Sequence, residues 1–366
     1  MLLRSLCFVL LLIASVLPLS ARCSWAAQAF TELDAAKRAG WNTVGILAQG
    51  MAGSDANRFP NTHAWLKEFR AAGGVPGRST ADVPISTIGA IRVGPNNPAF
   101  WRAYFEITPG DGGAMLLHAG LLLASGEIIR ATYILVVARQ NPAIEKEMRA
   151  AIDNLLGFCQ QALAKGAQQV EEAATMHEAG SPESAAGRLR ELLAVWPANA
   201  LGHYELALAM VAQQYAKAGR KAPTRARLSI HSELSPSRAA LDAYAKARIH
   251  DPLMIRAYQG GEVKGGDVFM VLGKTVRPLW EALTRASEAK VDDQDLEALA
   301  NALLEAGIAE ISLAVRQVLI GREGGYDDQD RKVIVATLRN VAPAAADAVG
   351  KRLASSKPEF IQIVMP

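Results

Sequence analysis

Apolar and polar positions along most of the chain recur at helical spacing. The two apolar stretches 114–124 and 128–140 are joined by Ser125-Gly126 and end at Asn141-Pro142, which predicts a helical hairpin. Alanine richness and few runs of β-branched residues favour helix over strand. The pattern therefore predicts an all-α fold, with further helices expected at 143–165, 168–178 and 183–195 and after Ala198 and Ser235.

The pattern is weaker in the region 30–113. Helices are expected only at 30–40 and 62–72, and residues 73–98 contain five glycines and four prolines, which predicts an irregular segment. An aromatic cluster follows at 100–105. Such a cluster is typical of a core, with a ligand-binding aromatic box as the alternative.

The first 29 residues have the order of an export signal. A basic start at Arg4 precedes an apolar run from Leu6 to Leu19, and small side chains allow cleavage after Ala26 or Ala29. The apolar run is shorter than the roughly 20 residues that a spanning helix needs. We therefore expect a cleaved signal peptide, no transmembrane segment after cleavage, and a periplasmic or secreted protein.

Removal of the signal changes the cysteine count and the charge. Cys7 and Cys23 leave with it, so Cys159 remains alone, expected as a buried thiol, and no internal disulfide can form. Lipidation of Cys23 is disfavoured because Arg22 stands where a small side chain is needed. The formal net charge of +3 falls to +1 without Arg4 and Arg22, which argues against nucleic acid as a partner.

One part of the helical region has small, aromatic, small and proline residues at offsets of four, three and five positions, at Ala240, Tyr244, Ala247 and Pro252. This spacing resembles that of the second helix of the tetratricopeptide repeat. The same offsets recur with bulkier side chains between residues 180 and 197, at Ala185, Leu189, Leu192 and Pro197.

The resemblance covers roughly residues 166–252. Leu206, Ala207 and Met210 match the first helix of a following repeat, and residues 114–142 resemble the repeat more weakly. The prolines are spaced more widely than the standard unit of about 34 residues. The resemblance implies stacked helical hairpins in which small residues allow close approach of the helices.

These patterns divide the chain into four parts. Residues 1–29 are the signal peptide, 30–113 an irregular or mixed N-terminal region, 114–260 a tetratricopeptide-like helical array, and 261–366 a C-terminal helical region. In the last part the sequence Asp-Asp-Gln-Asp precedes two apolar helices, which predicts N-terminal caps beginning at Asp292 and Asp327.

Candidate chemistry is sparse. The mature chain lacks the short motifs of zinc peptidases, serine hydrolases and dinucleotide-binding proteins, and its six histidines do not have metal-ligand spacing. We expect no enzyme activity, no cofactor and no metal. In the repeat family the first helix of each hairpin lines a concave, peptide-binding face, and the resemblance implies a face that includes Val170, Ala174, His177, Tyr204 and Leu208.

Five cations without an acid interrupt the helical array within eleven residues. They form a basic loop, and the interpretations are a solvated loop or a contact with anionic lipid or another acidic partner. The members of the basic loop are Lys217, Arg220, Lys221, Arg225 and Arg227.

Three functional hypotheses follow. The first is an exported helical-repeat scaffold that binds a protein or peptide partner in the cell envelope. The second is an enzyme of unknown type with a pocket between the N-terminal region and the repeats, using Glu106, Asp111 and His118. The third is a peripheral, envelope-associated structural subunit held to the membrane by the basic loop.

Overall fold

A computed structural model describes residues 30–76, 88, 92–141, 144–225, 228, 230, 234–253 and 291–365. The predicted signal peptide therefore lies outside the described residues. Within them the secondary structure consists of thirteen α-helices and no β-strand, so the predicted all-α fold is confirmed.

The helices lie on both sides of the segment 254–290, which is not described. In chain order they are α1 (Thr31–Ala52), α2 (Pro60–Ala71), α3 (Pro98–Tyr104), α4 (Gly113–Ala124), α5 (Ile128–Ala138), α6 (Lys146–Glu178), α7 (Pro182–Val195), α8 (Ala200–Lys217), α9 (Arg238–His250), α10 (Asp293–Glu305), α11 (Ala309–Glu323), α12 (Asp328–Val341) and α13 (Pro343–Leu353).

The predicted apolar hairpin is the centre of the fold. Its two helices, α4 and α5, pack against each other; α1 covers α4, and α6 and α11 cover α5. Every residue of α4 is buried. A helix that is apolar on nearly all sides must be covered on nearly all sides, and the surrounding helices supply that cover.

Helix α1 is longer than its sequence predicts. The pattern ends the helix near Gly40, but the structure continues it to Ala52. Gly40 marks a close approach of two helices: a Cβ added there would lie 2.4 Å from the Cβ of Leu123 and 2.6 Å from the carbonyl oxygen of Gly120. This glycine therefore allows α1 and α4 to touch, and it does not end the helix.

The helices predicted at 143–165 and 168–178 are one continuous helix, α6. Gly166, between them, again makes a close contact, because a Cβ there would lie 2.5 Å from the indole ring of Trp196. The Trp196 indole N–H donates to the carbonyl of Gly126 at 3.0 Å. The Trp196 ring thus connects the end of α7 to the turn between α4 and α5. It packs against α6 at Gly166, where the missing side chain leaves room for it.

Helices α6 to α9 pack as successive neighbours, each against the next, and α6 also contacts α8. Of the small and large residues quoted for the repeat spacing, Ala185, Leu189, Leu192, Leu206, Ala207, Ala240 and Ala247 are buried, whereas Met210 and Tyr244 are half-buried. Membership of the tetratricopeptide family stays a prediction.

The C-terminal helices return to the hairpin and to the N-terminal region. Helix α11 packs on α5, and α13 packs on α3. The Asp292 side chain accepts from the backbone N–H of Gln294, and Asp327 forms a reciprocal capping box with Asp330, so both predicted caps are confirmed.

The chain end pairs with the N-terminal region. Ile107 and Ile361 form a parallel β-bridge, in which the N–H of Thr108 donates to the carbonyl of Ile361 at 2.8 Å and the N–H of Ile361 donates to the carbonyl of Glu106 at 2.7 Å. Ile361 is buried here, so the terminal segment also fills part of the core.

Two expectations about single features can be compared with the structure. Cys159 is buried within α6, as its apolar neighbours predict. Among the described residues, no helix combines the length and the apolar character that crossing a membrane requires.

Candidate functional site

The five residues assigned to a concave face by the repeat resemblance are buried. Val170, Ala174 and His177 lie on α6, Tyr204 and Leu208 lie on α8, and their exposed fractions run from 1% to 8%. Side chains with so little exposure can reach a partner only if the neighbouring chain moves away. Their role in binding stays a prediction, and the accessible chemistry of this face comes from other residues.

Exposed positions follow one side of α6 next to these residues. Glu171, Thr175 and Glu178 are spaced by four and three residues and are exposed. Such spacing places them on one helical face. A third carboxylate, Glu205, lies on the neighbouring helix α8, where it is only 4% exposed.

An arginine of the basic loop lies among these carboxylates. Arg225 Nε and Nη2 donate to the two carboxylate oxygens of Glu205 at 3.0 and 2.9 Å, which is a bidentate pair. Arg225 Nη1 donates to Glu178 at 3.3 Å, and Nη2 lies 3.6 Å from a carboxylate oxygen of Glu171. We call Glu171, Glu178 and Glu205 the acidic cradle.

Burial and charge oppose each other within the cradle. Burial raises the pKa of Glu205, although the hydrogen bonds and charge of Arg225 lower it. Burial alone would lower the pKa of Arg225, but the hydrogen bonds and charge of Glu205 and the charge of Glu171 outweigh it, and the pKa is raised. The guanidinium therefore stays charged, and it compensates a carboxylate that would be costly to bury alone.

A buried imidazole lies beside the cradle. His177 is nine-tenths buried, and its Nδ1 has no hydrogen-bond partner among the described residues. Burial lowers its pKa, the charge of Arg225 lowers it further, and Glu178 opposes both. The surroundings of His177 thus favour its neutral form, and its Nδ1 can accept or donate a further hydrogen bond.

The other members of the basic loop are arranged differently. Lys217, Arg220 and Lys221 are exposed, and the guanidinium of Arg220 lies 5.5 Å from the centroid of the Tyr215 ring. Arg227 lies outside the described residues. In contrast to these three exposed cations, Arg225 is paired with carboxylates of its own chain.

A second set of polar groups lies between the central hairpin and its neighbours. His118 Nε2 lies 2.7 Å from a carboxylate oxygen of Glu310, and the other oxygen of Glu310 accepts from Arg130 at 2.7 and 2.9 Å. Arg130 also lies 3.4 Å from Glu127, which pairs with His250 Nδ1 at 3.0 Å. This buried network ties α11 and α9 to the hairpin.

The three residues proposed for an enzyme have separate structural partners. His118 belongs to the buried network. Glu106 caps α2, because its carboxylate accepts from the backbone N–H and the hydroxyl of Thr62 at 2.8 and 2.7 Å. Asp111 accepts from the backbone N–H groups of Gly113 and Ile363, both at 2.9 Å.

The acidity of Asp111 is altered by its surroundings. Burial raises its pKa from 3.8 to about 6, against the two backbone hydrogen bonds, which lower it. Because its oxygens both accept from backbone N–H groups, it fastens the C-terminal segment to the start of α4. The structure assigns none of the three to a shared site, and their use in catalysis stays a prediction.

Sequence reasoning missed the acidic cradle because its members come from two helices, and the arginine that pairs with them comes from a loop. One signal was present: Glu205 stands inside an otherwise apolar helix, between Tyr204 and Leu206, while the loop that follows carries cations without acids. A buried carboxylate needs a cation as its partner, and the loop offers cations that have no acidic residue among their neighbours in the sequence.

The cradle is the arrangement in the described residues that most resembles a recognition site, since it binds a guanidinium by three carboxylates on an accessible face. Within the same residues, no group of three or more His, Cys, Asp or Glu side chains could hold a metal ion. Comparisons of the chain with protein-family models, curated proteins and solved structures found no match.

Proposed function

We propose that this protein is a helical scaffold that binds a protein or peptide partner in the cell envelope. The N-terminal order of basic, apolar and small residues supports export. The successive packing of α6 to α9 supports a scaffold, because stacked helices present an extended face to partners.

One observation carries the proposal. The face shared by α6 and α8 already binds an arginine from a non-helical segment, through side chains, in the bidentate geometry that proteins use for recognition. A face that binds one segment in this way has the chemistry to bind another. Glu171 and Glu178, at the rim of the cradle, are 65% and 55% exposed and so remain accessible to a partner.

Site-specific photo-crosslinking in the native host tests the proposal. A photoreactive phenylalanine analogue at Thr175, which is exposed between Glu171 and Glu178, should yield a discrete covalent adduct in the envelope fraction. The same analogue at Ala194, exposed on α7, is the matched control and should yield none. The adduct should be identified by mass spectrometry and shown to bind the purified protein at a fixed stoichiometry. Identical adduct patterns from both positions, or none from either, would contradict a partner-binding role for this face.

A further inference from the structure

We propose that the acidic cradle is a binding site for an arginine of a partner peptide, and that Arg225 occupies it in the free protein as an intramolecular competitor. The inference rests on the proposed function, because it names the ligand chemistry and the regulation of that same face.

The number of carboxylates exceeds what a structural ion pair needs. One carboxylate, Glu205, already satisfies Arg225 in a bidentate pair. Glu171 and Glu178 add two further negative charges at 3.6 and 3.3 Å, so the group keeps a formal charge of −2 after Arg225 is counted, from three carboxylates and one guanidinium. This excess attracts cationic ligands to the face and would raise their association rate.

The contacts of the loop are those of a docked peptide. Among the described residues, no backbone hydrogen bond joins residues 221–225 to α6 or α8. Among the described residues of the loop, Arg225 contacts the cradle through its side chain, Leu228 and Ile230 are buried in the core, and Ala222 packs against the core. The N–H of Leu228 donates to the carbonyl of Thr224 at 2.9 Å, which forms a local turn. A segment held by a few side chains can be replaced by another segment that offers the same side chains.

A polar group beside the cradle remains available to a ligand. The Nδ1 of His177 has no partner in the described structure, although the residue is nine-tenths buried. His177 directly precedes Glu178 of the cradle in α6. A peptide that enters the cradle would bring backbone groups to which this nitrogen can hydrogen-bond.

These features define the ligand. It is a peptide with an arginine that can make a bidentate pair with Glu205, followed after three and five positions by aliphatic side chains, as Leu228 and Ile230 follow Arg225. Lysine should bind more weakly, because a single ammonium cannot reproduce the two parallel hydrogen bonds.

The experiment uses the purified protein and a synthetic peptide with the sequence of residues 218–234, labelled for fluorescence anisotropy. The Arg225→Ala variant should bind this peptide roughly 10-fold to 100-fold more tightly than the wild type, because the guanidinium that competes for the cradle is removed and the binding-competent fraction rises. A matched peptide with citrulline in place of the arginine at position 225 keeps the shape and the other cations, and it should lose most of this affinity.

Arg225→Ala leaves Glu205 without its cation and could prevent folding, so a gentler variant accompanies it. Arg225→Lys keeps a positive charge but loses the bidentate geometry, and we expect it to bind the peptide with an affinity between the wild type and Arg225→Ala. Adding Glu205→Gln to either variant should abolish the increase in peptide affinity over the wild type. Equal affinities for wild type and both variants, or for the arginine and citrulline peptides, would overturn the inference.

The two proposals can fail separately. A specific adduct from Thr175 without measurable binding of the peptide would support the scaffold function and contradict the arginine site. The expected peptide affinities without any adduct in cells would support the arginine site and contradict the proposed partner in the envelope.

Discussion

Replacing Glu310 by Gln is expected to lower the free energy of unfolding by about 3 kcal/mol at neutral pH. Glu310 is 14% exposed and accepts from Arg130 at 2.7 and 2.9 Å, while its other oxygen lies 2.7 Å from His118 Nε2. An amide has a similar shape but no charge, so Arg130 would remain largely buried with only Glu127, 3.4 Å away, to compensate it. Urea denaturation followed by circular dichroism measures the loss.

The same residue predicts how stability depends on pH. Burial alone would raise the pKa of Glu310, but the charge of Arg130 and the hydrogen bond from His118 outweigh it and lower the pKa from 4.5 to about 2. A carboxylate with a lowered pKa in the folded state contributes stability above about pH 4.5, and this contribution is lost as the pH falls toward 2. The difference between wild type and Glu310→Gln should therefore be largest at pH 6 to 7 and shrink steadily below about pH 4.5.

Glu297→Gln is the matched control for this prediction. Glu297 is exposed on α10, the helix that precedes Glu310, and its substitution should change stability by less than about 0.5 kcal/mol at any pH. If Glu310→Gln and Glu297→Gln had equal effects, or if the effect of Glu310→Gln did not depend on pH, the network would not hold α11 to the hairpin as described.

The sequence predicts the parts of this fold that depend on neighbouring residues. The hairpin of α4 and α5 follows from two apolar stretches joined by Ser125-Gly126, and both aspartate caps follow from their position before apolar helices. The buried network does not follow in this way. Its central pair, Arg130 and Glu310, is separated by 180 positions, and no local pattern indicates which distant acid an arginine will meet.

The candidate site shows the same limit. Val170, Ala174 and Leu208, which the repeat resemblance assigns to a concave face, are buried, and no local pattern indicates which part of the chain covers them. Here the exposed side of α6 carries the glutamates, and the loop that interrupts the repeat spacing returns Arg225 to them. Interruptions of a repeat are therefore candidates for self-binding segments, especially where their charge is opposite to that of the adjoining helices.

Glycines were the main source of error in the predicted helix ends. The helix end predicted at Gly40 and the break predicted between residues 165 and 168, around Gly166, are both wrong, although glycine lowers helix propensity by about 1 kcal/mol relative to alanine. Packing outweighs this penalty at both positions, since each glycine admits a neighbouring group that a Cβ would exclude. Propensity describes an isolated helix, whereas the helix in the fold also gains the contacts that the missing side chain permits.

Gly40→Ala is expected to lower the free energy of unfolding by about 2 kcal/mol, despite the better helix propensity of alanine. The new Cβ would lie 2.6 Å from the backbone oxygen of Gly120 and 2.9 Å from the backbone nitrogen of Ala124, and backbone atoms cannot rotate away as a flexible side chain can. Helices α1 and α4 would have to separate along a face that is buried throughout α4.

Gly157→Ala gives the comparison, because Gly157 lies within α6 and no atom of the described residues would lie within 4 Å of its Cβ. That variant should be more stable than the wild type by about 0.5 to 1 kcal/mol. Thermal and urea unfolding of the two variants should therefore shift in opposite directions, and a shift in the same direction for both would show that helix propensity, not the contact between α1 and α4, decides the role of Gly40.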